Sequence, residues 1–172
     1  MLHDMGWATN ADLLSKDKRF EVDGAEVARD FVARETCTGS AGGEGEENGW
    51  DKHRLQLLWD AIALHTNPSV AMFKEAEVVV AHLGITADFL GVYLGAELGG
   101  VGPLISVDEY KEIVTAFPRA GFKDDLVDIM CGLCKTKPAT TFDNFVGEFG
   151  LEFGLDGKGA NKQEYRETWE KF

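Results

Sequence analysis

An adjacent histidine and aspartate near the N-terminus, His3-Asp4, are the side chains of this sequence best suited to metal chemistry. An imidazole and a carboxylate just ahead of a glycine-containing turn, Met5-Gly6-Trp7, can chelate one divalent cation. Two ligands alone do not form a tight site, because a metal normally takes four or more ligands from several segments. Further ligands must therefore come from elsewhere in the chain.

Two more polar residues lie among apolar neighbours. His65 follows Leu58 and Ile62 at helical spacing, which places its imidazole on the core-facing stripe of a helix predicted over residues 50–66. A hydrogen-bonded core histidine is the alternative interpretation. Asp88 has apolar residues on both sides, so its carboxylate needs a partner if it is buried. A metal ion would supply that partner, and a helix N-cap role is the alternative.

The remaining candidates favour structural roles. Cys131 and Cys134 form a CxxC motif inside a helical pattern with no second cysteine pair downstream, so buried apolar cysteines are favoured over a zinc or redox site. His82 lies on a Val-rich helix and is predicted to be a core histidine. His53 lies between two basic residues at a helix start and is predicted to be solvated.

Length and charge limit the classes of function. The 172 residues, 44% of them hydrophobic, predict a single domain over residues 1–172 with a continuous core. A net charge of −13 disfavours nucleic-acid partners and anionic membranes. The N-terminus shows no secretion signal, and no apolar run approaches the roughly 20 residues that span a bilayer. With three cysteines in no framework spacing, the expected location is the cytoplasm, with the nucleus as the alternative.

Apolar periodicity predicts an all-α fold with no sustained strand pattern. Residues 38–49 are rich in glycine and acidic residues and predict a flexible surface loop. Gly84 is a plausible C-cap, and Ser106 with Glu109 gives a capping-box pattern. The predicted helices cover about residues 21–34, 50–66, 70–83, 85–91, 107–117, 123–135, 141–153 and 161–172.

Four segments of the chain together resemble the HD-domain metalloprotein superfamily and, more closely, its cyanamide hydratase-like branch, which is common in fungi. The matching segments are LHDMG at 2–6, KRFEVDGA at 18–25, WDAIALHT at 59–66 and ADFLG at 87–91. Residues 106–172 form a more variable C-terminal helical part. The resemblance implies an all-α helical bundle of the HD-domain type around one divalent metal, zinc or iron, with manganese also suitable.

The resemblance also implies roles for individual residues. His3 and Asp4 match the paired metal ligands of the family, and Asp88 matches the later aspartate that completes the coordination sphere. His65 matches a pocket histidine that orients substrate or a metal-bound water, or binds a second metal. Glu21 is the candidate second-shell carboxylate or proton relay.

Arg19 and Phe20 directly precede Glu21 in the same segment, and the resemblance implies that they line or support the substrate pocket. The implied reaction is hydration of a small neutral molecule. The metal would lower the pKa of bound water towards neutrality, and the resulting hydroxide would add to the nitrile carbon of cyanamide or a related substrate to give urea or an amide.

Two other functions remain open at this stage. Many HD-domain proteins are phosphohydrolases, but the basic residues near the motifs are few (Lys16, Lys18 and Arg19), and the acidic surface would slow an anionic substrate.

The family also carries a metal-binding histidine on a helix upstream of the His-Asp pair, where this chain begins. The expectation is therefore an N-terminally truncated domain with one ligand fewer. Its exposed apolar face could serve as an interaction module or homo-oligomer interface.

Overall fold

A computed structural model describes residues 2–7, 11–37, 50–93 and 105–171. Within these ranges every regular element is helical, which confirms the predicted all-α class. The acidic loop predicted at 38–49 lies outside the described residues. Short 3-10 helices cover Leu2–Trp7, Ala11–Leu13, Gly91–Tyr93 and Pro138–Thr140, and the α-helices are α1 (Phe20–Cys37), α2 (Lys52–Ala63), α3 (Pro68–Ala71), α4 (Ala76–Leu90), α5 (Val107–Ala116), α6 (Phe122–Thr136), α7 (Val146–Phe153) and α8 (Lys162–Trp169).

The predicted start of α5 is confirmed in detail. The Ser106 hydroxyl accepts a hydrogen bond from the Glu109 backbone N–H, and the Glu109 carboxylate accepts one from the Ser106 backbone N–H at 2.9 Å. Both groups would otherwise lack a partner at the helix N-terminus. The spacing of three positions between Ser106 and Glu109 therefore predicts this helix start correctly.

The predicted helix end at Gly84 is wrong. Gly84 lies inside α4, which continues to Leu90 and ends where Gly91 adopts a positive φ of 54°. A single glycine costs a helix only about 1 kcal/mol, and apolar residues on both sides of Gly84 continue the helical pattern. The break in this region comes earlier, between α3 and α4, at the turn that contains Lys74.

The chain divides into two compact units. Unit 1 comprises Met1–Ala8 and Glu21–Pro118, and unit 2 comprises Thr9–Phe20 and Arg119–Phe172. The sequence predicts one domain over residues 1–172, and the boundary at residue 118 lies inside its 106–172 C-terminal part. The two units are described in turn.

The core of unit 1 is built from small residues on α1. Ala25 and Ala28 are fully buried and pack with Ile62 of α2. Leu2 of the N-terminal 3-10 helix packs against this cluster. Three apolar side chains of α2 do the same: Leu58, Trp59 and Ala63.

Gly24 is the point at which the N-terminal 3-10 helix lies closest to α1. A Cβ atom at this position would be 2.9 Å from the His3 carbonyl oxygen and 3.2 Å from the Gly6 backbone nitrogen. Both atoms belong to the main chain, so a side-chain rotation could not relieve the overlap. The absence of a side chain at Gly24 therefore allows the segment that carries His3 to pack on α1.

An ion pair between a buried carboxylate and a partly exposed ammonium joins α2 to the turn that follows α3. Asp60, 9% exposed, lies 2.7 Å from the Lys74 ammonium and accepts a hydrogen bond from the Gln56 side chain at 2.6 Å. The hydrogen bond to Asp60 and the charge of Asp60 raise the pKa of Lys74. Removing Lys74 would leave the Asp60 carboxylate buried without its counter-charge, which is unfavourable.

Unit 2 packs α6 on α7 and α7 on α8. The aromatic ring of Tyr165 lies directly against Gly150, where a Cβ atom would come within 2.5 Å of the ring. The Tyr165 hydroxyl is 2.7 Å from the Thr141 hydroxyl, which gives this buried polar group a partner. A glycine on α7 thus creates the space for the largest buried side chain of α8.

The two cysteines of the CxxC motif are buried on α6, as predicted. Their thiols donate to backbone carbonyls of α7: Cys134 to Val146 at 3.3 Å and Cys131 to Phe149 at 3.8 Å. Burial raises the pKa of both thiols, that of Cys131 to about 11. These are the properties of structural cysteines.

The stretch Ala76–Tyr93 is long and apolar enough to cross a membrane by length and composition, with a mean hydropathy of 1.3 over 18 residues and 17% of it buried. One such stretch among the described residues is weak support for a membrane helix, because helices of soluble proteins share these properties.

Replacing Gly24 by alanine should destabilise the protein by about 1–3 kcal/mol, because the new methyl group overlaps backbone atoms of the N-terminal segment. Gly84→Ala is the matched control, since Gly84 is also inside a helix and has open space at its Cβ position. It should stabilise by about 0.5–1 kcal/mol. Urea denaturation measures both, and equal effects of the two substitutions would contradict the role given to Gly24.

Cys131 and Cys134 should resist iodoacetamide in the folded protein. With a pKa of about 11 for Cys131, about one thiol in a thousand is ionised at pH 8, and both sulfur atoms are buried. Mass spectrometry of the peptides should find these two cysteines unmodified in the native sample and fully modified after unfolding in guanidinium. If the native sample were labelled as fast as the unfolded sample, the burial of these two cysteines on α6 would be contradicted.

Candidate functional site

Unit 1 brings together four of the residues that the sequence singles out. His3 and Asp4 come from the N-terminal 3-10 helix, Glu21 from the first turn of α1, and His65 from the turn that follows α2. Ring contact joins His3 to His65, and the charges of Asp4 and Glu21 both act on the His65 imidazole. Three segments distant in sequence therefore meet at one place.

The His3-Asp4 pair is joined by its own side chains. His3 Nε2 lies 2.9 Å from Asp4 Oδ2, and the two side chains are 14% and 34% exposed. The other carboxylate oxygen, Asp4 Oδ1, is buried and has no hydrogen-bond partner in the described part of the chain. A buried acceptor without a donor is unfavourable. This oxygen is thus suited to receive a cation or a donor group of a bound molecule.

His65 is 4% exposed and is held in one orientation. Its Nδ1 lies 2.6 Å from the Ile62 carbonyl oxygen, and since a carbonyl can only accept, Nδ1 carries the proton. Nε2 of the neutral ring then carries a lone pair. The ring meets that of His3 edge to face, with the centroids 5.3 Å apart. The basic nitrogen of this buried ring is therefore Nε2, in a ring that lies against His3.

Burial lowers the pKa of His65 below its ordinary value. The hydrogen bond to the Ile62 carbonyl opposes this effect, as do the charges of Glu21 and Asp4, whereas His3 adds to it. Desolvation is the largest contribution, since an imidazolium ion loses its hydration in the core. His65 is therefore neutral at physiological pH and can accept a proton.

Glu21 is 1% exposed, which is exceptional for a carboxylate. Its Oε1 accepts a hydrogen bond from the Thr66 hydroxyl at 2.5 Å, across 45 residues of sequence. Thr66 is absent from the residues predicted for the site, although it directly follows His65 in the WDAIALHT segment. The signal for Thr66 in the sequence is its hydroxyl group directly after a histidine that is predicted to lie on the core-facing side of a helix.

His82 is buried as predicted, at 5% exposure, but its partner could not be predicted from sequence. Its Nδ1 donates to the backbone carbonyl oxygen of His65 at 2.7 Å. The histidine of α4 thus contacts the main chain of the site histidine.

Arg19 and Phe20, the predicted pocket residues, belong to unit 2. The Arg19 guanidinium lies 3.8 Å from the Asp143 carboxylate, and the 2% exposed ring of Phe20 meets Phe145 edge to face at 6.2 Å. These contacts account for the conformation of both side chains within that unit. Their contribution to a substrate pocket stays a prediction.

Asp88 is exposed on α4, so the argument from burial that singled it out does not apply. In the ranges that the structure describes, no three His, Cys, Asp or Glu residues are arranged to hold a metal ion. The structure therefore does not join Asp88 to His3 and Asp4 as a three-residue ligand group. Its role as the closing ligand stays a prediction.

Comparison of the chain with protein-family models, curated proteins and solved structures gives no match. The chemistry of the side chains in unit 1 is therefore the basis for inferring a function.

Replacing Thr66 by valine should destabilise the protein by about 1–3 kcal/mol, because the buried Glu21 side chain loses the hydrogen bond from the Thr66 hydroxyl. Thr66→Ser keeps the hydroxyl and should cost clearly less. Chemical denaturation of the two variants measures the difference. Equal losses would mean that the methyl group of Thr66, and not its hydroxyl, is the stabilising part.

Proposed function

We propose that this chain is a metal-dependent hydratase of the HD-domain type, which adds water to the nitrile carbon of a small neutral substrate such as cyanamide and gives urea or an amide. The observation that carries the proposal is the meeting of the His3-Asp4 pair with a neutral, buried histidine, His65. The buried carboxylate of Glu21 adds a second group that can stabilise a transferred proton.

The side chains present fit a divalent cation in their chemistry. Asp4 Oδ1 is a buried oxygen in need of a partner, and His3 beside it offers an imidazole nitrogen. This mixture of nitrogen and oxygen donors suits zinc, iron or manganese. His3 and Asp4 would hold the ion, with Asp88 as the proposed further ligand. Bound there, the cation would supply Lewis-acid activation of water.

His65 is the proposed proton acceptor. Its lowered pKa keeps the ring neutral, and the hydrogen bond from Nδ1 to the Ile62 carbonyl leaves the lone pair on Nε2. A water molecule beside Nε2 would lose its proton to this nitrogen as it attacks the nitrile carbon. General-base assistance of this kind contributes roughly 10²–10⁴-fold to a rate.

Glu21 is proposed to stabilise the imidazolium ion that forms when His65 takes the proton. Its charge already acts to raise the pKa of His65 against the effect of burial. The Thr66 hydroxyl fixes the position of the carboxylate. A histidine that exchanges a proton during turnover needs such a balance, because a fully desolvated ring would be too weak a base.

The net charge of −13 favours a neutral substrate over a phosphate ester. An acidic surface repels anions and slows their approach, whereas cyanamide carries no charge at neutral pH. The proposal therefore names hydration of a small neutral nitrile ahead of phosphate hydrolysis.

Asp4→Asn should abolish metal binding and urea formation. The amide oxygen is a weaker ligand than a carboxylate and brings no charge to the cation. Protein purified from metal-replete medium is analysed for zinc, iron and manganese, and urea formation from cyanamide is measured. Wild type should hold near one metal per chain.

Asp30→Asn is the matched control, because Asp30 is an exposed carboxylate on α1 of the same unit. It should retain both metal and activity. A folded wild-type protein that binds none of the three metals and forms no urea would overturn the proposed function.

A further inference from the structure

We infer that His82 is a positioning residue for His65: its imidazole holds the main chain from which the proposed proton acceptor projects. This inference rests on the proposed function for the role of His65. The geometry behind it, a hydrogen bond from His82 Nδ1 to the His65 carbonyl oxygen at 2.7 Å, does not.

The bond acts at a place where the main chain needs an external donor. α2 ends at Ala63, and His65 lies in the turn beyond it, with its backbone N–H bonded to the Ile62 carbonyl at a long 3.4 Å. The last carbonyl groups of a helix and its following turn have no regular helical partners. The hydrogen bond from His82 of α4 therefore ties the His65 peptide to a second helix.

Two imidazoles act in series along this turn. His82 donates from Nδ1 to the His65 carbonyl, and His65 donates from its own Nδ1 to the Ile62 carbonyl. The first bond fixes the backbone of His65, and the second fixes its ring. Together the two bonds determine where Nε2 of His65 points. A substitution at His82 would therefore change the position of this nitrogen without any contact between His82 and substrate.

An apolar residue could fill the space of His82 but could not make this bond. His82 is 5% exposed, so water would not replace the lost donor. A buried carbonyl group without its donor costs about 1–3 kcal/mol and favours rotation of the peptide. A displacement of about 1 Å at a reacting group can cost about 10²-fold in rate.

Two amide substitutions separate positioning from packing. His82→Asn places a side-chain N–H where Nδ1 lies now, whereas His82→Gln carries its N–H one methylene further, near the position of Nε2. Both are polar and smaller than histidine, so both lose packing. We expect His82→Gln to lower kcat for cyanamide hydration by about 10–100-fold with little change in KM. The kcat of His82→Asn should be at least about tenfold higher than that of His82→Gln.

Long-range proton–nitrogen NMR of the imidazole rings gives a readout that needs no activity. In wild type, His65 and His82 should both carry their proton on Nδ1. The spectrum of the His65 ring should be preserved in His82→Asn and altered in His82→Gln.

The two readouts distinguish the failure of each proposal. Equal kcat values for the two variants, together with an unchanged His65 ring spectrum in both, would overturn the positioning role. If wild type shows no hydration, the proposed function fails while the NMR comparison still decides the role of His82. The positioning role of His82 would also be overturned if the wild-type His82 ring carried its proton on Nε2, because the donor to the His65 carbonyl would then be missing.

Discussion

The close contact between the Leu2–Trp7 segment and Gly24 of α1 is the constraint on which the site depends. Six residues in a 3-10 helix have no stability of their own, so tertiary contacts alone decide where they lie. The Gly24 backbone allows two main-chain atoms of the segment to approach, and Leu2 anchors it in the core of unit 1. His3 and Asp4 are placed beside His65 by this docking. A side chain at position 24 would force α1 or the segment to shift.

The site is otherwise organised by three buried polar side chains that each make a short hydrogen bond. Glu21, His65 and His82 are all at least 95% buried, and each makes a hydrogen bond at 2.7 Å or less. Burying such groups is unfavourable unless they are paired, so these bonds offset a cost that an apolar core would not incur. The benefit is chemical. Desolvation keeps His65 neutral, and the fixed carbonyl partners determine which of its nitrogens is basic.

Local sequence patterns predicted most of the fold and the polar residues of the site, but not their partners. The capping box at Ser106 and the burial of His65 follow from spacing over three to ten residues, which a sequence displays directly. The bonds from Thr66 to Glu21 and from His82 to His65 join residues 45 and 17 positions apart, and only the packed structure creates them. Asp88 was singled out on its apolar neighbours, yet the rotation of α4 turns it outwards, because flanking residues do not fix which way one helical position faces.

The docking of the N-terminal segment also sets how readily the site comes apart. Leu2–Trp7 is a short segment docked on a larger unit, so local opening that releases it requires less free energy than unfolding of α1, α2 and α4. Such opening would remove His3 and Asp4 but leave His65, Glu21 and Thr66 in place. The apparent affinity for the proposed cation would then be the intrinsic affinity multiplied by the fraction of molecules with the segment docked. A cation held by His3 and Asp4 would in turn stabilise the docked segment, so binding of the proposed cation and docking of Leu2–Trp7 would be thermodynamically linked.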